Sequence, residues 1–366
     1  MGRPASLILG LIVAVATVAW TACGEPVSIL GDTPGLMRIV AGAPDEPGRA
    51  VGSSATETLL RFPSGLDMDL DGVLYVADRG NRRILAVTSA GDVRVVVDDA
   101  LSCSVACLKE PVALAVDGTG GLLVADDLGH RVWRFDAVTG ARVLLAGTGE
   151  SETTPDGAIA AESPIRSPRG VAVDDNGRVY FAEGRSHRIR TILPDGTLAT
   201  VAGTGESGYG GDGGSATDAL IYFPAGIDIA SSVLYIADAG NHRVRAVDLA
   251  TGIITTIAGT GTAGFSGDGG DPLSAALSDP RDVAATADGR SLYVADRSNN
   301  RVRIVSLLSP LINTFAGSGD TDFAGNLIDA GVAGLWSPLG VATSPFGLVM
   351  IADTEHHIVW RTPTGF

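Results

Sequence analysis

Short runs in which apolar and polar residues alternate are separated by turn residues along most of the chain. One stretch shows the pattern clearly, because four such runs follow one another at 226–230, 233–237, 242–247 and 253–258. Asp, Asn, Gly and Thr residues lie between these runs, as is typical of turns. No segment shows a sustained helical period. The pattern therefore predicts units of four antiparallel strands.

This four-stranded unit recurs six times. Each copy contains a phrase of the form Tyr-Val-Ala-Asp, and a proline precedes the phrase at a nearly constant distance. The acidic residues that end the phrase are Asp78, Asp126, Glu183, Asp238, Asp296 and Asp353. The prolines are Pro63, Pro111, Pro168, Pro224, Pro280 and Pro338. Radial repetition of four-stranded sheets predicts an all-β fold, a six-bladed β-propeller.

The two ends of the chain are expected to complete one blade together. Most units finish with a strand that ends in Ala-Gly, but the last unit reaches Phe366 without one. A matching strand occurs near the N-terminus, at 36–42. Its pairing with the C-terminal blade would close the ring and remove exposed strand edges. We expect the propeller to span 36–366.

Charge narrows the range of partners. The chain has 42 acidic and 26 basic residues, which gives a formal net charge of −16, and Lys109 is the only lysine. Such a chain would repel nucleic-acid phosphates and anionic lipid headgroups, so neither is predicted as a partner. Five long connections between units are rich in Gly and Asp, and with the turns after each Ala-Asp they are expected to form one acidic face.

The N-terminus resembles a bacterial lipoprotein signal. Arg3 precedes an apolar run, and small residues lead to Cys23. The resemblance implies that 1–22 is a signal peptide, that Cys23 carries the lipid, and that 23–35 is a short tether. Plain secretion and an uncleaved anchor are the alternatives. The expected location is the cell envelope, at the outer membrane or otherwise periplasmic or secreted, with membrane contact through the lipid anchor only.

Two further cysteines, Cys103 and Cys107, lie close together in the connection between the first two units. An exported compartment permits a disulfide between them, and this is the pairing we expect. Two reduced thiols in a surface loop are the alternative. Two cysteines alone would make an incomplete metal site.

The innermost strands carry the main candidate site. Four places after the prolines stand, in order, Asp67, Ala115, Ala172, Asp228, Ala284 and Ala342. Asp67 and Asp228 belong to opposite blades and are predicted to face the central channel. Two carboxylates and water could hold a hard cation such as calcium, which makes Asp67 and Asp228 the candidate metal ligands. Solvated carboxylates, or carboxylates bonded to the backbone, are the alternative.

Other recurring polar residues are predicted to be structural. Four histidines occupy one place in the repeat, namely His130, His187, His242 and His357, and His356 lies beside the last of them. Because this place is spread around the ring, we expect packing rather than metal binding. The acids of the repeated phrase should accept backbone N–H bonds and be neutralised by the arginines that follow, Arg83, Arg131, Arg188, Arg243 and Arg301. Asp212 and Asp268 are expected in loops shaped by glycine.

The phrases Phe223-Pro-Ala-Gly-Ile-Asp-Ile, Leu234-Tyr-Ile-Ala-Asp and Asn241-His-Arg-Val-Arg resemble an NHL repeat. The Gly-Thr-Gly and Gly-Asp-Gly-Gly loops that begin at Gly203 and Gly259 are similar to those of a bacterial subgroup of this family. The resemblance implies a six-bladed propeller that serves as an interaction platform, and it implies no single activity.

The expected function is therefore a monomeric, non-catalytic binding scaffold whose loop-bearing face contacts a protein, a peptide or an envelope polymer. No catalytic residue and no cofactor are predicted, since nucleophile-elbow and zinc-protease motifs are missing from the sequence. The alternative is a metal-dependent hydrolase or lyase of the lactonase-like kind, with a divalent ion such as calcium in the channel. A purely architectural envelope protein is a third interpretation.

Overall fold

The computed structural model describes residues 35–100 and 107–363 of the chain. Six antiparallel sheets, each with at least four strands, form a ring, so the predicted six-bladed β-propeller is confirmed. The predicted signal peptide at 1–22, the lipid-anchor residue Cys23 and most of the tether lie outside the described residues. Within the described ranges no helix is long and apolar enough to cross a membrane.

The blades follow one another along the chain, and each is built from the inside of the ring outwards. Blade 1 contains β2 (Pro63–Met68), β3 (Leu74–Asp78), β4 (Arg83–Val87) and β5 (Val93–Asp98). Blade 2 contains β6 (Pro111–Val116), β7 (Gly121–Asp126), β8 (Arg131–Asp136) and β9 (Arg142–Ala146). Blade 3 contains β10 (Pro168–Val173), β11 (Val179–Glu183), β12 (Arg188–Ile192) and β13 (Leu198–Ala202). Blade 4 contains β14 (Pro224–Ala230), β15 (Val233–Asp238), β16 (Arg243–Asp248) and β17 (Ile253–Ala258). Blade 5 contains β18 (Pro280–Ala285), β19 (Ser291–Asp296), β20 (Arg301–Ser306) and β21 (Leu311–Ala316). Blade 6 contains β23 (Pro338–Thr343), β24 (Leu348–Asp353), β25 (Ile358–Pro363) and β1 (Leu36–Ala41), with the two-residue β22 (Ile328–Asp329) at its edge.

Blade 6 joins the two ends of the described chain. Strand β1 pairs antiparallel with β25, with Ile39 opposite Trp360. The strand predicted at 36–42 is therefore confirmed as the outer strand that closes the ring. Met37 is fully buried and packs in the same hydrophobic cluster as Trp360.

The hydrophobic core is divided among the six seams between neighbouring blades. Strand β24 is an example of a second strand, and all six of its residues are buried. This burial explains why the residues before the final acid are apolar. Val349 and Ile351 pack against blade 5, whereas Met350 and Ala352 pack against blade 1. Successive side chains point to opposite faces of a strand, so a sheet covered on both faces reads as a continuous apolar run.

On one side of the ring, each blade presents the starts of its first and third strands and the ends of its second and fourth strands. In blade 1 the start of the first strand, Pro63, lies opposite Asp78, which lies opposite Arg83, which in turn lies opposite Asp98. The turns after the acids and the long connections between blades therefore share one side, here called the loop face. The opposite side, which carries the two hairpin turns of each blade, is called the turn face.

The connection between blades 1 and 2 is only partly described. Cys107 is disulfide-bonded. Cys103 lies outside the described residues, so its pairing with Cys107 stays a prediction. Nearby, the Asp99 carboxylate accepts the Leu108 N–H at 2.8 Å and forms an ion pair with Arg142 at 2.6 Å.

The ring closure can be tested through Met37. Met37→Ala should lower the free energy of unfolding by about 2–5 kcal/mol, because it leaves a cavity in the hydrophobic cluster that Met37 shares with Trp360 and Tyr293. Leu70→Ala is the control, because Leu70 lies exposed on the turn face and its loss should change stability by no more than about 0.5 kcal/mol. Urea denaturation measures both. Equal stability of the two variants would contradict the placement of β1 in blade 6.

Candidate functional site

The first strands of all six blades surround a central cavity of about 260 Å³. The structure places Asp67 and Asp228, the two residues chosen from the sequence, in the wall of this cavity. The inner strands approach one another closely, because glycine replaces larger residues near their beginnings. A Cβ atom at Gly340 would overlap the backbone oxygen of Ser64 in the neighbouring blade.

Each of the two carboxylates joins the inner strands of neighbouring blades. One oxygen of Asp67 accepts the Met68 N–H at 2.8 Å, and the other accepts the Val116 N–H of blade 2 at 2.7 Å. Asp228 repeats this arrangement with its own strand, at 2.8 Å, and with the Ala285 N–H of blade 5, at 2.7 Å. Both aspartates therefore have a structural role at the blade seams.

A third carboxylate, Asp282, lines the same cavity and was missed by the sequence analysis. It accepts the Val283 N–H at 3.0 Å and the Val341 N–H of blade 6 at 3.1 Å. Asp282 stands two places after its proline, where four other blades have glycine and blade 2 has Ala113. Comparing that place across the repeats would have found it, because an acid stands there among small residues.

Burial raises the pKa values of all three carboxyl groups. Desolvation is the largest cause in each case, and the two backbone N–H bonds of each group oppose it. The pKa of Asp67 is raised to about 7, that of Asp228 to about 6 and that of Asp282 to about 8, the last with added repulsion from the other two. The cavity therefore changes its charge near neutral pH.

A hard cation would need ionised carboxylates with free lone pairs directed at one point. Every oxygen of the three groups already accepts one backbone N–H, which leaves one lone pair on each oxygen. Among residues 35–100 and 107–363 no three His, Cys, Asp or Glu side chains are grouped so as to hold a metal ion. A metal at Asp67 and Asp228 stays a prediction.

The acids of the repeated phrase are fully buried in all six blades. Each accepts a backbone N–H from the residue two places before the proline of its own blade, at 2.7 to 3.0 Å. The donors are Arg61, Lys109, Arg166, Tyr222, Ser278 and Trp336. The predicted structural role is confirmed: these carboxylates fix the chain where it enters each inner strand.

The predicted arginine partners are only partly correct. Arg83 contacts Asp78 at 2.6 Å and Arg188 lies 3.5 Å from Glu183. Among the described residues Arg131, Arg243 and Arg301 form no such pair with the acid of their own blade. In blades 3, 4 and 5 the buried partner stands two places further along the third strand, on the same face. These partners are Arg190, Arg245 and Arg303.

The physical reason is clear in blade 4. The guanidinium of Arg243 stacks on the Tyr209 ring, 3.6 Å from its centroid, and donates to the Thr260 carbonyl at 2.6 Å. Arg245 lies beneath it and reaches both Asp238, at 3.5 Å, and Asp212, at 2.6 Å. Asp212 therefore anchors its loop to the buried arginine.

The glycine-rich connections of blades 3 and 5 are held in the same way. In blade 5, Arg303 pairs with Asp268 at 2.7 Å, and in blade 3, Arg190 pairs with Asp156 at 3.0 Å. Asp268 also accepts the Thr314 hydroxyl at 2.7 Å. In blades 3, 4 and 5 a buried guanidinium therefore fixes the loop to the blade.

The four histidines of the repeat join neighbouring blades, as their structural interpretation requires. The Nδ1 atom of each accepts an N–H from the residue before the next inner strand, at 3.1 to 3.3 Å. The donors are Ser167, Phe223, Asp279 and Phe62. His356 is buried between Asp353 and the Thr321 carbonyl, both at 2.8 Å. Burial alone would lower the pKa of His356, but Asp353 raises it overall.

These features define the class of the protein: a six-bladed β-propeller whose loop face is anchored by buried carboxylates and arginines. The NHL repeat profile matches residues 277–305. NHL repeat-containing protein 2 of Homo sapiens is 26% identical over 344 residues, which cover 81% of this chain and 46% of that protein. The chain thus contains an NHL repeat and is similar in sequence to NHL repeat-containing proteins. It spans only 17 to 46% of the length of four curated relatives that it matches.

Solved structures share the fold at low identity. An auxiliary nutrient binding protein of Bacteroides thetaiotaomicron has a TM-score of 0.65 and 14% identity, covering 89% of this chain and 75% of that one. A gluconolactonase of Xanthomonas campestris has a TM-score of 0.58 and 14% identity, covering 96% and 99%. At this identity the likeness shows the fold alone.

The titration of the cavity can be tested with Asp282→Asn. The folded state keeps the Asp282 proton up to about pH 8, whereas the unfolded chain loses it near pH 4. The contribution of the Asp282 carboxyl group to the free energy of unfolding is therefore complete below pH 4. It falls as the pH rises, by up to about 1.4 kcal/mol per pH unit for one proton. Urea denaturation should show a shallower fall between pH 5 and pH 8 for the variant than for the native chain.

Asp288→Asn is the control for this experiment. Asp288 is exposed on the turn face, and a hydrogen bond from Thr286 lowers its pKa, so it does not titrate between pH 5 and pH 8. Its variant should keep the pH dependence of the native chain. An unchanged dependence in Asp282→Asn would contradict the raised pKa of Asp282.

Proposed function

We propose that this protein is an exported, lipid-anchored NHL-repeat propeller that acts as a non-catalytic binding scaffold at the cell envelope. The loop face is the recognition surface, and its partner is a protein, a peptide or an envelope polymer. The observation that carries the proposal is the set of ion pairs through which buried arginines hold partly exposed loop aspartates of this face, such as Arg245 with Asp212 and Arg303 with Asp268.

Rigid loops favour binding because less conformational entropy is lost when a partner docks. Glycine-rich connections would ordinarily be mobile, yet those of blades 3 to 5 are tied to arginines that are completely buried. Loops held on a rigid scaffold are where proteins commonly place recognition residues. A purely architectural protein would not need this ordering of its exposed loops.

The export and anchoring parts of the proposal rest on the sequence. The apolar segment within 1–22 and the small residues before Cys23 support a lipoprotein signal, and 23–35 is long enough to serve as a tether. The printed description of the Bacteroides neighbour as nutrient binding supports a binding role for this architecture. The protein is proposed to act as a monomer.

A metal-dependent hydrolase or lyase is the second candidate. The Xanthomonas campestris neighbour is described as a gluconolactonase, and Asp67, Asp228 and Asp282 line one cavity. Against this candidate, each carboxylate oxygen already accepts one backbone N–H, and the raised pKa values of the three carboxyl groups favour the protonated form, which binds cations poorly.

Elemental analysis of the purified full chain separates the two candidates. The scaffold proposal predicts less than one divalent ion per chain, in the native protein and in the double variant Asp67→Ala/Asp228→Ala alike. One calcium or transition-metal ion per native chain that is lost in the double variant, but kept in Asp288→Ala, would favour the enzyme instead.

The scaffold proposal itself is tested by site-specific photo-crosslinking in cells that produce the protein. A crosslinking amino acid at Glu206 or Thr262, both exposed in loop-face connections, should yield discrete adducts with a partner. The same amino acid at Leu70 or Val138, both exposed on the turn face, is the control and should yield far fewer. Adducts at the turn face only, or at neither face, would contradict the scaffold proposal.

A further inference from the structure

Three arginines meet around Phe223 at the inner rim of the loop face. The guanidinium carbon of Arg169, from blade 3, lies 4.6 Å from the centroid of the Phe223 ring, and that of Arg281, from blade 5, lies 5.7 Å from it. Arg297 joins them through Asp279, whose carboxylate binds Arg281 at 2.9 Å and Arg297 at 2.8 Å. Arg169, Arg281 and Arg297 are called the arginine cluster.

The arginine cluster has more positive than negative charge. Within the described part of the chain only two carboxylates pair with it, namely Asp279 and Asp127, which lies 2.6 Å from Arg169. Burial, together with repulsion from the other two arginines, lowers the pKa of Arg281 even though Asp279 opposes the change. The expectation of an acidic loop face is therefore wrong at its centre, because arginines from separate blades meet there.

Several donors of the arginine cluster lack acceptors. Within the described part of the chain no group accepts a hydrogen bond from Nη1 or Nη2 of Arg281, and these two atoms are not fully buried. The Nε atom of Arg169 is buried and likewise has no partner among the described residues. Guanidinium donors that are open to solvent can bind an incoming acceptor, and a carboxylate is the acceptor that matches their planar geometry.

Two exposed aromatic residues are sequence neighbours of residues that contact the arginine cluster. Tyr222 directly precedes Phe223 and is 44% exposed. Trp336 is 45% exposed and precedes Ser337, whose hydroxyl accepts a hydrogen bond from Nε of Arg297 at 2.9 Å. Arginine, tyrosine and tryptophan are the residues that most often anchor protein–protein interfaces.

We propose that the arginine cluster, with Tyr222 and Trp336, binds an acidic peptide segment of a partner protein. A carboxylate of the segment seats on Arg169 and Arg281, and a neighbouring apolar side chain packs on an exposed aromatic ring. The inference rests on the proposed function, since it names the ligand chemistry of the loop face. The aromatic anchors favour a polypeptide over a phosphate or an acidic polysaccharide, neither of which offers apolar side chains.

A phage-displayed random peptide library, selected against the full chain, is the probe. The enriched peptides should carry Asp or Glu next to an aromatic or aliphatic residue. Synthetic copies should bind at least about tenfold more weakly to Arg281→Gln than to the native chain, and more weakly at high salt. Arg290→Gln is the matched control, because Arg290 is 68% exposed on the turn face and should leave binding unchanged.

Arg297→Gln provides a second test if Arg281→Gln fails to fold, since Arg297 is more exposed, and thermal unfolding checks both variants. Enriched peptides without acidic residues, full binding to folded variants, or no enrichment at all would overturn the proposal. Binding of polygalacturonate or inorganic phosphate at the arginine cluster, without binding of acidic peptides, would overturn the proposal in favour of those ligands.

The crosslinking experiment separates this site from the scaffold function. If the adducts at Glu206 and Thr262 persist in Arg281→Gln, the scaffold function stands and only this site fails. If those adducts are absent from the native chain, the scaffold function itself fails.

Discussion

A fully buried carboxylate at the end of the second strand of every blade is the interaction on which the loop face depends. Its oxygens accept an N–H from the chain just before the inner strand, so strand and incoming connection are fixed together. A buried charge is tolerated only when it is paired and hydrogen-bonded. In blades 3 to 5 the arginine that pairs with this carboxylate also binds a loop aspartate. The same contacts therefore hold the exposed loops in a fixed position on the blade.

Most of the fold could be predicted because the signal is repeated six times and alternates with the period of a strand. Ring closure by β1 followed from a strand missing at one end and present at the other. Asp67 and Asp228 were found because equivalent places were compared, whereas Asp282 stands at a different place in its blade. The arginine partners were misassigned because sequence adjacency does not show that Tyr209 covers Arg243. The arginine cluster could not be predicted, because three blades contribute to its surroundings.

The two ends of the inner strands have opposite electrostatic character. Deeper in the ring, Asp67, Asp228 and Asp282 join blade seams and carry raised pKa values. At the loop-face rim, Arg169 and Arg281 flank Phe223 with donors that lack acceptors. The carboxylates therefore fit a structural role in the ring, while the arginines fit recognition of an anionic group. This division supports a scaffold that binds through its loop face more than an enzyme that works in its channel.

Native-state hydrogen exchange of backbone amides tests most directly whether buried carboxylates hold the loop face in order. The amides of Arg166, Tyr222 and Ser278 lie outside regular strands but donate to buried acids. The account predicts that they exchange as slowly as amides in the middle of the second strands, far more slowly than exposed turn amides such as that of Val138. Exchange as fast as at Val138 would show a mobile loop face and contradict the account.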